Sequence, residues 1–313
     1  MAEHGFFQYL RLKLIVSLFR FMTFRRRLAG IEKDLAISDN PDRKLVQIPS
    51  RDTGRFIEAW LYSPPGSNTS PQAKKPVLIN WHGSGFIFSN LSTDVAFCSR
   101  ITRDTGALVL DADYRKGPEV PFPGAFHDVE DTLKWVASQP EHFDLQRVGV
   151  SGFSAGGTLA LIAASSLRKQ FVPLEISLVI AVYPGTDLAV DPATKTVPNP
   201  IRPIPAWAAA IFNDCYVPDV SLRTDPRVSP AFADPASFPA TVAMITCEGD
   251  IFAPEGIKLA EKLVDGQRKV ININIKGVRH GFNHAAEPGT NDWEQREYLH
   301  KVSIETVKEA FSL

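Results

Sequence analysis

A serine between two glycines is the first feature of this sequence that could do chemistry. Ser154 lies in a G-x-S-x-G pattern, after residues that favour a β-strand and before a helical run from Thr158 to Leu167. A sharp strand-to-helix turn would lift its hydroxyl clear of the backbone, and Gly152 and Gly156 would fit where a Cβ would clash. The helix would aim free N–H groups at the hydroxyl. The pattern predicts a nucleophilic serine, and a glycine-rich turn without chemistry is the alternative.

A serine hydroxyl is a poor nucleophile unless a base takes its proton and an acid orients that base. In enzymes that carry the serine on a strand-to-helix turn, the acid and then the histidine follow it along the chain. Asp250 lies in the loop directly after the predicted strand 244–247 and is our candidate for the acid. Glu248 in the same loop is the rival, and we favour Asp250. For either residue the alternative is a solvated carboxylate in a turn.

His280 follows the next predicted strand, in a loop whose glycines would let an imidazole return over the sheet. It is our candidate for the base, and His284 is its competitor. The spacing of these histidines also fits a metal site on a helix, but Gly281 and Asn283 disfavour a helix and no glutamate lies between them. We therefore predict no metal and no cofactor. The other histidines lack a motif and are expected at the surface or in packing: His4, His127, His142 and His300.

Small residues follow the predicted strand that ends at Trp81. Backbone N–H groups in such a loop can approach a developing alkoxide, and each donor is worth roughly 3–4 kcal/mol in the transition state. The residue after the nucleophile supplies a further N–H. The candidate oxyanion-hole residues are Gly83, Ser84, Gly85 and Ala155. A tight turn is the alternative for this loop alone, but a serine, an acid and a histidine in the required order favour hydrolytic chemistry.

The composition limits the classes to which the protein can belong. The chain has 313 residues, of which 44% are hydrophobic, and this suits one large α/β domain or one domain with an elaborated lid. A formal net charge of −1 gives no electrostatic case for binding nucleic acid. Three cysteines without close spacing argue against a disulfide framework and against zinc. We expect a reducing compartment and a cytoplasmic location.

Predicted strands and helices alternate along most of the chain, which implies a mostly parallel sheet with helices on both faces. In such sheets the catalytic groups collect in loops at the carboxyl ends of the strands, where the motifs above lie. A turn is predicted at Asp39–Pro41 and a polar surface loop at Ser63–Lys75. The proline-rich stretch from Thr186 to Arg227 interrupts the alternation and reads as an insertion over the sheet.

The N-terminal segment from Phe6 to Leu28 is apolar and aromatic, but three basic residues interrupt it: Arg11, Lys13 and Arg20. It therefore predicts neither a membrane span nor a cleaved signal. Its apolar residues fall near helical spacing and predict an amphipathic helix: Tyr9, Leu10, Leu14, Leu18, Phe21 and Met22. Two interpretations compete, a lid packed over the site and a helix lying on a membrane surface. We favour the lid.

The sequence resembles the hormone-sensitive-lipase-like family of α/β-hydrolase esterases, the group known by its His-Gly-Gly-Gly motif, over about residues 40–313. The matching residues occur in six groups, which are His82–Phe86, Asp113–Arg115 with Pro118, Glu119 and Pro121–Pro123, Gly152–Gly157, Ser229–Pro230, Asp250, and His280–Phe282. The resemblance implies that Ser154 is the nucleophile, Asp250 the orienting acid and His280 the base. The oxyanion N–H groups would be those of Ser84, Gly85 and Ala155, with Gly83 as a substitute.

The resemblance also implies a domain organisation. Residues 1–40 would form N-terminal lid helices and 187–225 a lid insertion. The α/β-hydrolase core would comprise residues 41–186 and 226–313. This supports the lid interpretation of the N-terminal helix.

Three departures from the family pattern concern substrate specificity, and one of them is the apolar stretch Ile251–Pro254 after Asp250, where the family tends to have more acids. Ser84 replaces a motif glycine, so it would be strained if that position needs a positive φ, and otherwise its hydroxyl would narrow the acyl side or bond locally. Phe153 stands where the family usually has an aspartate and would put an apolar ring beside the nucleophile. The candidate substrate-binding residues are Phe86, Phe153, Trp207 and Phe212.

The sequence thus predicts a serine carboxylic ester hydrolase that acts through an acyl-enzyme on small to medium hydrophobic esters. A histidine base must be neutral, and histidine ordinarily titrates near pH ~6.5, so activity should fall in acid. One alternative is a specialised-metabolite enzyme that uses the same triad for deacylation, thioester release, cyclisation or elimination. A non-catalytic ligand receptor is the second alternative. Homodimer formation is left open.

Overall fold

The computed structural model describes residues 5–38, 41–66 and 74–313. The predicted turn at 39–41 and the predicted loop at 63–75 fall largely outside the described residues. Within the described residues the strands form one eight-stranded sheet in the order β1-β2-β4-β3-β5-β6-β7-β8. The strands are β1 Arg43–Pro49, β2 Phe56–Tyr62, β3 Lys75–Trp81, β4 Leu108–Ala112, β5 Phe143–Phe153, β6 Ile176–Val182, β7 Thr241–Cys247 and β8 Lys269–Ile275.

The pairing of the strands confirms the predicted mostly parallel sheet. β2 pairs antiparallel with both β1 and β4, and all pairs from β4 to β8 are parallel. Seven α-helices accompany these strands in the described part of the chain. They are α1 Phe6–Ile37, α2 Val95–Thr105, α3 Gly124–Ala137, α4 Ala155–Ser165, α5 Ala206–Tyr216, α6 Ala253–Lys262 and α7 Asn291–Phe311.

Both faces of the sheet are covered, which explains the continuous apolar runs in its central strands. Alternate residues of a strand point to opposite faces, so Val77 and Ile79 join one core while Leu78 joins the other. The first core includes side chains of α3, α4 and α6, such as Leu133. The second core includes side chains of α2 and α7, such as Phe97.

The register of the parallel strands brings their carboxyl ends to one edge of the sheet. Trp81 at the end of β3 pairs with Gly152 of β5, and Val182 at the end of β6 pairs with both Phe153 and Ile245. The loops that carry the predicted chemical groups follow β3, β5, β7 and β8. They therefore emerge side by side, as expected for this class of sheet.

The N-terminal helix is longer and turned differently from the prediction. α1 runs to Ile37, and its buried residues are Leu12, Val16 and Asp34. Five of the six apolar positions that predicted the helix are exposed instead: Leu10, Leu14, Leu18, Phe21 and Met22. No helix in the described part of the chain combines the length and apolarity needed to cross a lipid bilayer.

The proline-rich insertion contains α5 and two short 3-10 turns, Pro192–Thr194 and Val220–Thr224. Residues of α5 and of the second half of α1 line a common cavity over the carboxyl edge of the sheet. The division of the chain into two lid segments and two core segments stays a prediction.

Candidate active site

Ser154 occupies a strained turn between β5 and α4. Its φ of 51° and ψ of −119° lie outside the regions that non-glycine residues ordinarily adopt. The turn is closed too tightly for side chains at its two glycines. A Cβ on Gly152 would lie 2.2 Å from the carbonyl oxygen of Gly156, and one on Gly156 would lie 1.8 Å from that of Trp81. Both glycines are therefore a steric requirement of the turn that presents the serine.

The structure brings Ser154, His280 and Asp250 into one hydrogen-bonded chain. His280 Nε2 lies 2.8 Å from Ser154 Oγ, and His280 Nδ1 lies 2.7 Å from Asp250 Oδ2. A carboxylate at Nδ1 holds the proton on that nitrogen, and this leaves Nε2 free to accept the serine proton. The Asp250 side chain is fully buried, and its other oxygen accepts the N–H of Phe252. The arrangement can deprotonate the serine hydroxyl.

Glu248, the rival acid, lies away from this chain. It accepts hydrogen bonds from Lys276 Nζ at 3.1 Å and from the N–H of Gly277 at 3.0 Å. The backbone hydrogen bond and then the lysine lower its pKa. Glu248 therefore stabilises the start of the loop that carries His280 rather than contacting His280 itself.

His284, the rival base, lines the same cavity without bonding Ser154. Its ring lies 6.3 Å from the ring of Phe153, and its Nδ1 has no hydrogen-bond partner among the described residues. Loss of hydration lowers the pKa of His284 to about 4. The described residues contain no cluster of three or more side chains suited to holding a metal ion.

The candidate oxyanion loop after β3 lies directly against the serine turn. A Cβ on Gly83 would lie 3.2 Å from the carbonyl oxygen of Phe153 and 3.4 Å from Ser154 Cβ. Gly83, Ser84, Gly85 and Ala155 all border this cavity or the serine itself. Ala155 is the first residue of α4, so its N–H has no carbonyl partner within that helix.

Ser84 bears none of the strain considered for it. The positive φ angles of the loop belong to Gly85, at 53°, and Phe86, at 60°. Ser84 Oγ accepts the N–H of Phe86 at 2.9 Å and lies 2.6 Å from the hydroxyl of Tyr114. The Tyr114 hydroxyl donates to the carbonyl oxygen of His82 at 2.7 Å. The Ser84 hydroxyl therefore forms local hydrogen bonds, and these stabilise the loop.

A charged group supports the start of the same loop. His82 Nε2 lies 2.9 Å from Asp113 Oδ1, which also accepts a hydrogen bond from Lys116 Nζ at 2.7 Å. Burial alone would raise the pKa of Asp113, but the charge of Lys116 and the hydrogen bond with His82 outweigh it and hold that pKa well below its usual range. Asn90, which the sequence did not point out, donates to the carbonyl oxygen of Gly83 at 2.8 Å.

The cavity above Ser154 has a volume of about 1110 Å³. Two of the four candidate substrate-binding residues line it, Phe86 and Phe212. The ring of Phe86 stacks on Tyr216 at 3.7 Å between centroids, and the ring of Phe212 lies so close to Gly85 that a Cβ there would be 3.0 Å from it. These contacts place an apolar wall beside the oxyanion loop.

Phe153 and Trp207 do not line the cavity, which corrects the expectation for both. Phe153 ends β5, and its fully buried ring points into the core beneath the serine, 5.0 Å from the ring of Phe97. The strand's alternation turns it away from the reacting centre. Trp207 is 60% exposed and packs against Phe19 at the outer side of α5.

Tyr183 is a site residue that the sequence did not indicate. It follows β6, its ring lies 4.6 Å from the ring of His280, and its hydroxyl bonds Asn283. In the sequence, Tyr183 ends the apolar run 176–183, which predicts a strand and no chemical role. Its contact with His280 depends on how the two loops meet in space.

Comparisons with known proteins agree with this geometry. A family model described as alpha/beta hydrolase fold matches residues 78–284. The ethyl acetate hydrolase of Pseudomonas putida is 30% identical over 248 residues, which cover 78% of this chain and 77% of that protein. Esterase LipI of Mycobacterium tuberculosis is 29% identical and covers 78% of this chain and 76% of its own length. A hyperthermophilic esterase from the archaeon Pyrobaculum calidifontis is 25% identical, with a TM-score of 0.79 over 98% of this chain and 99% of that one.

The chain therefore belongs to the α/β-hydrolase fold family, among the hormone-sensitive-lipase-like esterases. This confirms the resemblance and the fold class inferred from the sequence. The protein is an enzyme of the ester-hydrolase class.

Proposed function

We propose that this protein is a serine carboxylic ester hydrolase that cleaves small to medium hydrophobic esters through an acyl-enzyme intermediate. The observation that carries the proposal is the hydrogen-bonded chain from Ser154 Oγ through His280 to Asp250 at the floor of the cavity. The α/β-hydrolase fold and the esterase relatives support the bond type.

In the first half of the reaction, Ser154 Oγ attacks the ester carbonyl carbon while His280 Nε2 takes the hydroxyl proton. Asp250 stabilises the imidazolium that results. Backbone N–H groups drawn from Gly83, Ser84, Gly85 and Ala155 hold the oxyanion of the tetrahedral intermediate. His280 then gives its proton to the leaving alkoxide, and the alcohol departs from acyl-Ser154.

In the second half, His280 takes a proton from water, and the resulting hydroxide attacks the acyl carbonyl. The second tetrahedral intermediate collapses when His280 returns the proton to Ser154 Oγ. The carboxylic acid leaves, and the free enzyme is restored. Both halves use the same base and the same oxyanion donors.

The cavity walls support an apolar substrate of moderate size. Side chains of Phe86, Leu188, Ile204 and Phe212 line the cavity, and its volume of about 1110 Å³ slightly exceeds the usual upper limit of about 1,000 Å³ for small-molecule sites. A charged acyl chain is disfavoured where these side chains form the wall, since a buried unpaired charge is costly, although charged residues such as Arg27 and Lys195 border other parts of the cavity.

The test is hydrolysis of p-nitrophenyl butyrate, octanoate and palmitate by the wild type and by Ser154→Ala, together with labelling by an organophosphonate probe and intact-mass measurement. We expect turnover of the shorter esters, one covalent adduct on the wild type and neither in Ser154→Ala. Ser138→Ala, at an exposed helix end, is the matched control and should behave as the wild type.

Retention of turnover in Ser154→Ala would overturn the mechanism. Probe labelling of Ser154 with negligible ester hydrolysis would instead favour the specialised-metabolite alternative. Binding of a hydrophobic small molecule with neither labelling nor turnover would favour a receptor.

A further inference from the structure

Helix α1 presents a continuous apolar stripe to solvent. Its members recur at spacings of three, four and seven residues, so they lie along one side of the helix: Phe7, Leu10, Leu14, Leu18, Phe21 and Leu28. Phe7 is 84% exposed, Leu14 73% and Phe21 81%. Single exposed apolar residues are ordinary, but a row of this length on one helix marks an interaction surface.

Contacts on the other side of α1 fix the direction in which this stripe points. Leu12 and Val16 are buried against Ile87 and Cys215. Arg20 donates to both carboxylate oxygens of Glu119, at 2.6 and 2.9 Å, and to two backbone carbonyls. A rotation of α1 that turned the stripe inward would break the hydrogen bonds of Arg20 and uncover Leu12 and Val16.

A second buried contact holds the far end of the helix. Arg296 Nη1 donates to Asp34 Oδ1 at 2.8 Å, and both side chains are almost fully buried. Separating this pair would leave an uncompensated buried charge, which is strongly destabilising. The outward orientation of the stripe is therefore built into the fold at both ends of α1.

The charges beside the stripe favour an anionic partner. Two exposed arginines flank it, Arg11 and Arg25, and neither forms an ion pair with any described residue. No acidic residue lies between Gly5 and Leu28. If a second copy of the protein docked through the same face, arginines would oppose arginines and repel each other. A surface of anionic lipid headgroups would instead neutralise them.

We propose that the outer face of α1 docks in the plane of an anionic lipid surface, with its apolar stripe among the acyl chains and its arginines at the headgroups. The opposite side of the same helix lines the cavity through Thr23, Arg27, Gly30 and Ile31. Docking therefore holds the cavity beside the lipid phase. The proposal concerns binding and does not depend on the proposed ester hydrolysis.

The test is co-sedimentation of the full chain with vesicles of phosphatidylcholine alone and of equimolar phosphatidylcholine and phosphatidylglycerol, at low and high salt. Leu14→Gln/Phe21→Gln removes two stripe residues, and Val172→Gln/Val264→Gln removes two equally exposed apolar residues elsewhere. Arg11→Gln/Arg25→Gln removes two flanking charges, and Lys44→Gln/Lys258→Gln is its control among exposed lysines. Circular dichroism and hydrolysis of a water-soluble ester report whether each variant is folded.

We expect binding to the anionic vesicles that weakens at high salt. Loss of the two stripe residues should lower the partition coefficient about a hundredfold or more, because full burial of each contributes about 1.5–3 kcal/mol and about 1.4 kcal/mol is a factor of ten. Loss of each arginine should lower it about fivefold, which corresponds to about 1 kcal/mol per charge near such a surface. The two control variants should partition as the wild type does.

Absence of vesicle binding by the folded wild type would overturn the proposal. Equal losses in the stripe variant and its control would also overturn it. Sedimentation velocity without vesicles tests the other possible partner of the stripe, which is a second copy of this chain. A dimer that Leu14→Gln/Phe21→Gln dissociates, in a protein that ignores vesicles, would assign the stripe to self-association instead.

Discussion

Ser84 Oγ lies 2.6 Å from the hydroxyl of Tyr114, which in turn donates to the carbonyl oxygen of His82 at 2.7 Å. The two side chains come from the loop after β3 and the loop after β4, and both are buried. Together they brace the loop that lies against Ser154. A serine in place of a motif glycine thus contributes a polar anchor to the candidate oxyanion hole.

Tyr114→Phe should destabilise the protein by about 1–3 kcal/mol, because the buried His82 carbonyl and the Ser84 hydroxyl lose a partner. Ser84→Ala should lower kcat about threefold to tenfold with little change in KM, because the loop loses a bond worth about 1 kcal/mol. Urea unfolding and steady-state kinetics measure the two effects. Tyr298→Phe, at a 44% exposed tyrosine, should change neither, and equal effects there would contradict the assignment.

Asp250→Asn should lower kcat about 10³–10⁴-fold, since an amide no longer favours the histidine tautomer that accepts the serine proton. Glu248→Gln should stay within about threefold of wild type, since that carboxylate bonds only Lys276 and the N–H of Gly277. Both are measured as kcat on a soluble ester. A larger loss in Glu248→Gln than in Asp250→Asn would reverse the choice of acid.

Gly156→Ala should prevent the native turn, since its Cβ would lie 1.8 Å from a backbone oxygen that cannot move independently of the sheet. We expect insoluble protein or a loss of several kcal/mol. Gly30→Ala is the matched control on α1, where the new Cβ would meet only Ala285 Cβ at an ordinary 3.5 Å. It should be neutral or stabilising by about 0.5–1 kcal/mol in thermal unfolding. A fully stable Gly156→Ala would disprove the tight turn.

His300 should make the protein sensitive to acid. Burial, helped by the charge of Arg296, lowers its pKa to about 3 in the folded state. The unfolded chain takes up this proton below pH ~6.5, whereas the folded protein does so only near pH 3, so stability falls as the pH drops through that window. The slope contributed by this residue approaches about 1.4 kcal/mol per pH unit.

His300→Gln should therefore show a shallower loss of unfolding free energy between pH 6.5 and 4 than the wild type, whatever its stability at neutral pH. Urea unfolding across this range measures the slope. The exposed His142 provides the comparison, and His142→Gln should keep the wild-type slope. An unchanged slope in His300→Gln would show that this histidine is not the source.

Phe212→Ala should shift preference towards longer acyl chains, because Phe212 lines the cavity beside Gly85. We expect the ratio of kcat/KM for octanoate over butyrate to rise about threefold to tenfold. Trp207→Ala removes a larger ring from the same helix on its solvent side and should leave this ratio unchanged. A shift of equal size in Trp207→Ala would mean that the cavity extends further across α5.

The order of the candidate triad could be predicted because its determinants are local. The glycines around Ser154 answer a steric need of one turn, and Asp250 and His280 each follow a strand that periodicity indicates. The alternation of strands and helices then places all three at one edge of the sheet. Loop residues whose backbone approaches the serine were predictable for the same reason, since small residues cluster there.

Contacts between distant segments could not be predicted in this way. Phe153 has an apolar aromatic side chain of the kind that lines pockets, yet the pleat of β5 turns that side chain into the core. Trp207 and Phe212 both suit a cavity wall, and only the orientation of α5 separates them. Tyr183 meets His280 across two loops that the sequence does not relate.

The sequence by itself determined the chemical groups, their order and the class of sheet that carries them, because these depend on short-range sterics and periodic burial. Tertiary structure decided which side chains of each helix and loop point towards the protein interior. Arg20 bonds Glu119 across 99 positions of the chain, and that bond turns the apolar stripe of α1 towards solvent. Ser84 likewise finds Tyr114 only across the sheet edge. Such choices depend on which partners the completed fold brings within bonding distance, and no local pattern records them.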